Sequence, residues 1–219
     1  MRAVSHFILI FFLFSFSIAF GQMYTYHESE GIRQNELKAS ILSTPHRQML
    51  KVKTPGKRTN HLFEPPGTTK EWQLVDENLS HNFKATRTGK VIFIQGTYEG
   101  QLINKSVEID EKPWINKLDH GLSPWVLSDN SHIVFWALKL GDDLEPIRFE
   151  ATKLHREATK TPAGTFQTVK VKLNLHGFLL SNIWSAYCWY RVSDGLFVKY
   201  QGNSGPGTDI RTIELKSLP

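Results

Sequence analysis

The sequence is poor in cysteine. Cys188 is the only one in 219 residues, so no internal disulfide can form and a small disulfide-stapled scaffold is excluded. Stability has to come from packing. The lone thiol stands in Ala186-Tyr187-Cys188-Trp189-Tyr190, between bulky apolar groups, where a cysteine acts as a small inert hydrophobe rather than a nucleophile. Also missing are the glycine patterns of dinucleotide and phosphate loops and the Gly-x-Ser-x-Gly elbow. None of the nine histidines has a histidine partner at i, i+4 or the His-Glu-x-x-His spacing, and no cysteine or carboxylate cluster accompanies them. No metal site and no cofactor is therefore expected, with His81, His120 and His132 left as residues that only the fold can bring together.

Two fragments look like sites and fail on inspection. Gly202-Asn203-Ser204-Gly205-Pro206 is similar to the nucleophile loop of chymotrypsin-like proteases, but that chemistry needs an early Ala-Ala-His-Cys setting and several disulfides, which this chain lacks. A Gly/Pro turn between the last strands is the better reading. Asp142 and Asp143 lie in Gly141-Asp142-Asp143-Leu144-Glu145-Pro146, the composition of a solvated turn; a glycosidase pair needs two carboxylates flanking a cleft.

No apolar run is long enough to cross a bilayer comfortably. The longest, Phe7 to Phe20, is interrupted only by Ser15 and Ser17, and as a helix it spans roughly 21 Å against about 30 Å of hydrocarbon. Arg2 precedes it, and Ala19-Phe20-Gly21 places small residues at −3 and −1. This pattern predicts a signal peptide over residues 1–21, cleaved between Gly21 and Gln22. The mature chain is then periplasmic or secreted, without a transmembrane span; no cysteine near the cut supports a lipid anchor.

The net charge of +5 is unevenly placed. Arg33, Lys38, Arg47, Lys51, Lys53, Lys57 and Arg58 face only Glu36, whereas from Thr69 onward 18 basic residues stand against 17 acidic ones. With weak periodicity and the breakers Thr54-Pro55-Gly56-Lys57-Arg58 and Glu64-Pro65-Pro66-Gly67, residues 22–68 read as a basic, poorly structured lead with a short helix around Gln34 to Leu42. An anionic envelope component is its candidate partner; nucleic acid is not expected.

From residue 69 to 219 the pattern switches to period two. Val169, Val171, Leu173 and Leu175 point one way, and Thr168, Lys170, Lys172 and Asn174 the other. Glu99-Gly100, Thr161-Pro162-Ala163-Gly164 and Ser193-Asp194-Gly195 supply hairpin glycines. Ten such runs between Trp72 and Lys216 predict a mainly β domain: a single antiparallel, strongly curved sheet, an open half-barrel or barrel, of about ten strands. One short helix or ordered loop is expected between Pro113 and Asn130.

Aromatic residues are in surplus. Trp114, Trp125, Trp136, Phe178, Trp184, Tyr187, Trp189 and Tyr190 either fill the core or line a concavity for lipid tails, acylated protein or sugars. Trp114, Trp125, Trp136, Phe178, Trp184, Trp189 and Tyr190 are the candidate ligand-binding residues.

The order Gly96-Thr97-Tyr98-Glu99-Gly100, Trp114, Leu122-Ser123-Pro124-Trp125-Val126-Leu127, Phe135-Trp136, Pro162-Ala163-Gly164-Thr165-Phe166 and Trp189-Tyr190 with Asp194-Gly195 resembles an exported bacterial family known only as a domain of unknown function. The resemblance covers Glu71 to Leu215, and the Pro-Ala-Gly-Thr-Phe hairpin is its most specific element. It implies a Gram-negative periplasm and an open half-barrel similar to the lipoprotein carriers LolA and LolB, and it brings no catalytic motif. The leading expectation is a non-enzymatic protein binding a hydrophobic ligand or envelope component, with lipid or acylated protein as partner. A hydrolase of unrecognised type acting on an envelope polymer and a structural protein–protein interaction module are the alternatives.

Overall fold

The computed structural model describes residues 21–44, 47–141, 143–177, 184–203 and 208–219. Residues 1–20 of the predicted signal segment 1–21 lie outside them, and Gly21 and Gln22 open the first strand. Fourteen strands form one antiparallel sheet. They are β1 (Gly21–Glu30), β2 (Arg33–Ser43), β3 (Gln48–Thr54), β4 (Lys57–Glu64), β5 (Thr68–Asp76), β6 (His81–Thr88), β7 (Val91–Tyr98), β8 (Gln101–Glu108), β9 (His132–Leu138), β10 (Pro146–Thr161), β11 (Gly164–Leu175), β12 (Ser185–Arg191), β13 (Phe197–Asn203) and β14 (Ile210–Ser217). The single-turn helices α1 (Leu118–Gly121) and α2 (Ser123–Val126) fall in the segment expected to carry helix or ordered loop.

The sheet runs β8-β7-β6-β5-β4-β3-β2-β1-β14-β13-β12-β11-β10-β9, a meander with one long-range join where β1 pairs β14. It curls without closing, and β8 and β9 are its two edges. A short extended segment stitches the curl from inside. Trp114 bridges Trp136 of β9 in parallel, and its carbonyl accepts from the Thr69 N–H of β5 at 2.7 Å.

Ten of the strands match the ten runs of alternating residues; the other four correct the expected count. They come from the segment expected to be a loose lead. Its breakers are hairpin turns: Pro55-Gly56 sits between β3 and β4, with Gly56 at φ +69°, a conformation that costs glycine little. The helix expected at Gln34–Leu42 is β2, in which Leu37 and Ala39 face inward. Each of these strands buries only a few side chains: Tyr24, Tyr26 and Glu28 in β1, Leu50 in β3, His61 and Phe63 in β4. Two of those are polar, so the period-two signal is diluted.

Inward-facing residues form two packed clusters. The first gathers Tyr24, Tyr26, Leu50, Phe135, Leu173, Tyr190, Phe197 and Leu215 with Leu122, Trp125 and Val126 from the helical turns. The second gathers Trp72, Leu74, Phe83, Ile92, Ile94, Trp114, Leu138 and Leu144. Among the described residues no helix is long and apolar enough to cross a membrane.

Candidate functional site

Between the two clusters the curled sheet leaves a cavity of about 780 Å³, within the size range of small-molecule sites. Strands β1 to β5 supply one wall; Asn116, Lys117, Leu138 and Leu140 face them. Alternation decides which side chains reach it. Register sets Lys57 opposite Asp76, Thr59 opposite Leu74 and His61 opposite Trp72, and all six line the cavity.

Four of its charged side chains are tied up in pairs. Glu28 accepts from Arg211, and Lys57 Nζ lies 3.3 Å from Asp76 Oδ2. The deeper wall is different. His61 is 1 % exposed and packs parallel to Phe63 and Trp72, with ring centroids 5.9 and 6.1 Å away. Neither His61 nitrogen, nor Trp72 Nε1, nor Thr59 Oγ1 has a hydrogen-bond partner among the described residues. Burial, with the nearby Lys117 ammonium, pushes the His61 imidazole down to about 3, so the ring is neutral at physiological pH.

The facing side carries a second, half-buried polar group. Lys117 Nζ donates to Asp119 Oδ2 at 2.5 Å. Burial alone would raise the Asp119 carboxyl, but the Lys117 charge, His120 and the Lys117 hydrogen bond hold it at about 2. His120, edge-on to Tyr26 at 5.8 Å, is pushed down to about 4 by burial and Lys117, against the pull of Asp119.

The aromatic residues named from sequence lie elsewhere, and among those described none lines this cavity. Trp114 is fully buried in the second cluster and donates to Asn116 Oδ1 at 3.0 Å. Trp125 and Tyr190 belong to the first cluster, and the Tyr190 hydroxyl donates to the Leu118 carbonyl at 2.7 Å. Trp136 donates to Asp110 Oδ1 at 2.8 Å under the Arg148 guanidinium. Trp184 donates to the Asn203 carbonyl at 2.7 Å. Trp189 donates to Glu157, with Lys170 and Lys199 over its ring. Phe178 lies outside the described residues, as do Asp142 and the Ser204-Gly205-Pro206 part of the protease-like loop. The sequence marks neither His61 nor Thr59, because polar residues at the inward positions of β4 break the apolar alternation that signals a strand. The alternation Trp72, Leu74, Asp76 was the available signal.

His81 stacks on Tyr98 at 4.2 Å, His120 packs on Tyr26, and His132 sits 3.6 Å from Glu150. Among the described residues no three His, Cys, Asp or Glu side chains converge as a metal-binding group. Cys188 is fully buried, and burial pushes its thiol well above the ordinary range, which makes it inert.

No protein-family model matches the chain, and no curated protein matches it in sequence. Among solved structures it is similar to a β-barrel-like protein of a domain of unknown function, DUF1849, from Brucella abortus. Identity is 9 %, 91 % of this chain and 96 % of that one are covered, and the TM-score is 0.58, a likeness of fold alone. Two further structures, described as an exported protein with a YmcC-like fold from Bacteroides fragilis and a lipoprotein from Parabacteroides distasonis, match at 14 % and 13 % identity. Each covers 91 % of this chain and 95 % of the other. Their TM-scores of 0.34 and 0.35 carry no argument. None of the three is described as a carrier of the LolA or LolB kind.

Proposed function

We propose that the chain is an exported protein, cleaved between Gly21 and Gln22 and working in the periplasm or outside the cell. Its curled sheet holds a hydrophobic or amphipathic ligand such as a lipid. The observation that carries this reading is the cavity between the two packed clusters. Leu37, Val52, Leu74, Leu138 and Leu140 offer it apolar surface, while Thr59, His61 and Trp72 place unpartnered polar atoms in the deeper wall. A buried polar atom left unpaired costs about 1–3 kcal/mol. A ligand hydroxyl or carbonyl reaching these atoms after a small side-chain shift would remove that cost, and its apolar body would cover the leucines. Glu28 with Arg211 and Lys57 with Asp76 are already paired, which favours holding a molecule over transforming it. Trp114, Trp125 and Tyr190 serve here as the packed frame of the site, with Trp136 and Trp184 packed against it and Trp189 outside both clusters.

Titration of the full mature chain with a fluorescent long-chain fatty acid tests the reading. Binding in the micromolar range is expected, and Val52→Phe, which fills the cavity, should weaken it at least tenfold while leaving the fold intact. Equal affinity for both proteins, or no binding by the wild type, would refute the cavity as the site.

A further inference from the structure

Strand register sorts the charges of the convex face into rows. In one row Lys199 of β13 stands opposite Glu214 of β14, Glu214 opposite His27 of β1, and His27 opposite Glu36 of β2. Acids there separate basic or titratable groups, and Lys199 Nζ reaches Glu214 at 2.7 Å. Two residues further along β2 the rule is broken. Lys38 stands opposite Lys53 of β3, and Lys53 opposite Arg58 of β4. All three are exposed, as is Lys51 on the same face of β3.

Neighbouring strands lie about 4.8 Å apart, so the three cations form a line roughly 10 Å long across the sheet. Like charges directly opposite on adjacent strands are destabilising. The nearest acid, Glu36, is 3.9 Å from Lys38 and is already bonded by Lys216. Lys51, Lys53 and Arg58 make no ion pair among the described residues, whereas Lys84 and Lys199 elsewhere on the sheet and Lys90 in the β6–β7 turn each sit 2.7 Å from a glutamate. Thr25 and Val75 flank the row, and Ser40 and Asn60 lie beside it. The exposed apolar groups of β1 and β2 on this face, Met23 opposite Ser40 and Leu42 two residues beyond it, stand at one end of the strip and not within the cation row.

We propose that this strip is a docking site for a linear polyanion, a chain carrying repeated sulfate, phosphate or carboxylate groups. Lys38, Lys53 and Arg58 grip successive charges across the strands, and Lys51 widens the strip. The cross-strand repulsion is relieved when the polymer's charges lie between the cations. This inference rests on the outer face alone and is independent of the cavity.

The test is fluorescence anisotropy of a labelled heparin oligosaccharide with the full mature chain over a salt series. Lys38→Gln/Lys53→Gln/Arg58→Gln should lower affinity more than tenfold and flatten the salt dependence, because fewer counterions are displaced. Lys84→Gln/Lys90→Gln/Lys199→Gln, which removes the same charge from paired positions, should change affinity less than twofold. The single change Lys53→Glu makes the row alternate; it should abolish binding while raising the melting temperature, which separates lost docking from lost folding. Equal losses in both triple variants would overturn the proposal, as would unchanged binding by Lys53→Glu. Capture of anionic phospholipid vesicles through the same residues, with no binding of the oligosaccharide, would assign the strip to a membrane and equally overturn it.

Discussion

The two packed clusters inside the curled sheet are built on different terms. The one around β1 to β4 and β10 to β14, with Phe135 of β9, packs against ionisable groups: buried His120 and half-buried Asp119 sit beside its rings, and Tyr26, Tyr190 and Cys188 are buried within it. The other, around β5 to β9, is aliphatic and aromatic, with Trp114 at its centre, and meets buried histidines only at its rim, where His61 stacks on Trp72 and His81 on Tyr98. An apolar cluster is insensitive to pH, whereas one that holds histidines neutral stays packed only while solvent does not supply their protons. The seam where the two clusters fail to meet is the cavity, and it draws Leu37 and Val52 from one side and Trp72, Leu74 and Leu138 from the other.

The largest effect that separates the clusters comes from removing β1 to β4. Deleting residues 22–66 takes Tyr24, Tyr26, Leu37, Leu50 and Phe63 from the first cluster and strips the partners from β14 and β5. The expected outcome, read by thermal unfolding followed by circular dichroism, is loss of the cooperative transition. A melting temperature within a few degrees of the full chain would show that the second cluster and β9 to β14 stand without it.

Within the second cluster, Trp114→Ala should cost about 3–5 kcal/mol through cavity formation. The residue is fully buried, and its main chain ties β5 to β9. Urea unfolding measures the loss, and a cost under about 1 kcal/mol, the usual effect of a surface change, would mean that the stitch is dispensable.

Acid should sharpen the comparison. His61 and His120 have folded values of about 3 and about 4, against about 6.5 in an unfolded chain. Below pH 6.5 the unfolded chain therefore binds protons that the folded chain refuses. Stability from these two groups is fully present above that pH and falls as pH drops toward 4, by up to about 1.4 kcal/mol per pH unit for each histidine. Asp119, held at about 2, adds to the loss only below its ordinary range. Hydrogen exchange should show the amides around His120 and His61 losing protection before those of β6 and β7, and His120→Gln should flatten the pH dependence. Simultaneous loss in both clusters would contradict the division.

Legibility in the sequence divided the first cluster itself, with β10 to β14 readable and β1 to β4 not. β11 could be read because its apolar residues alternate with polar ones and Val171 and Leu173 face inward, even though Thr168 is buried as well. The four strands of the first half hid behind inward Glu28 and His61, and their hairpin turns read as linker. The cavity was invisible for that reason, since half of its wall belongs to those strands. The aromatic surplus was conspicuous, but sequence cannot tell a tryptophan that fills a core from one that borders a space; the tertiary register decides, as Trp72 and Trp114 show.

Methyl-resolved NMR of the mature chain, titrated with an unlabelled long-chain fatty acid, tests the central claim most directly. The account predicts saturable shifts of the Leu37, Val52, Leu74, Leu138 and Leu140 methyls, with Leu173 and Leu215, buried in the first cluster, left in place. Shifts confined to surface methyls such as Leu102 and Leu154, or no shifts at saturating ligand, would contradict it.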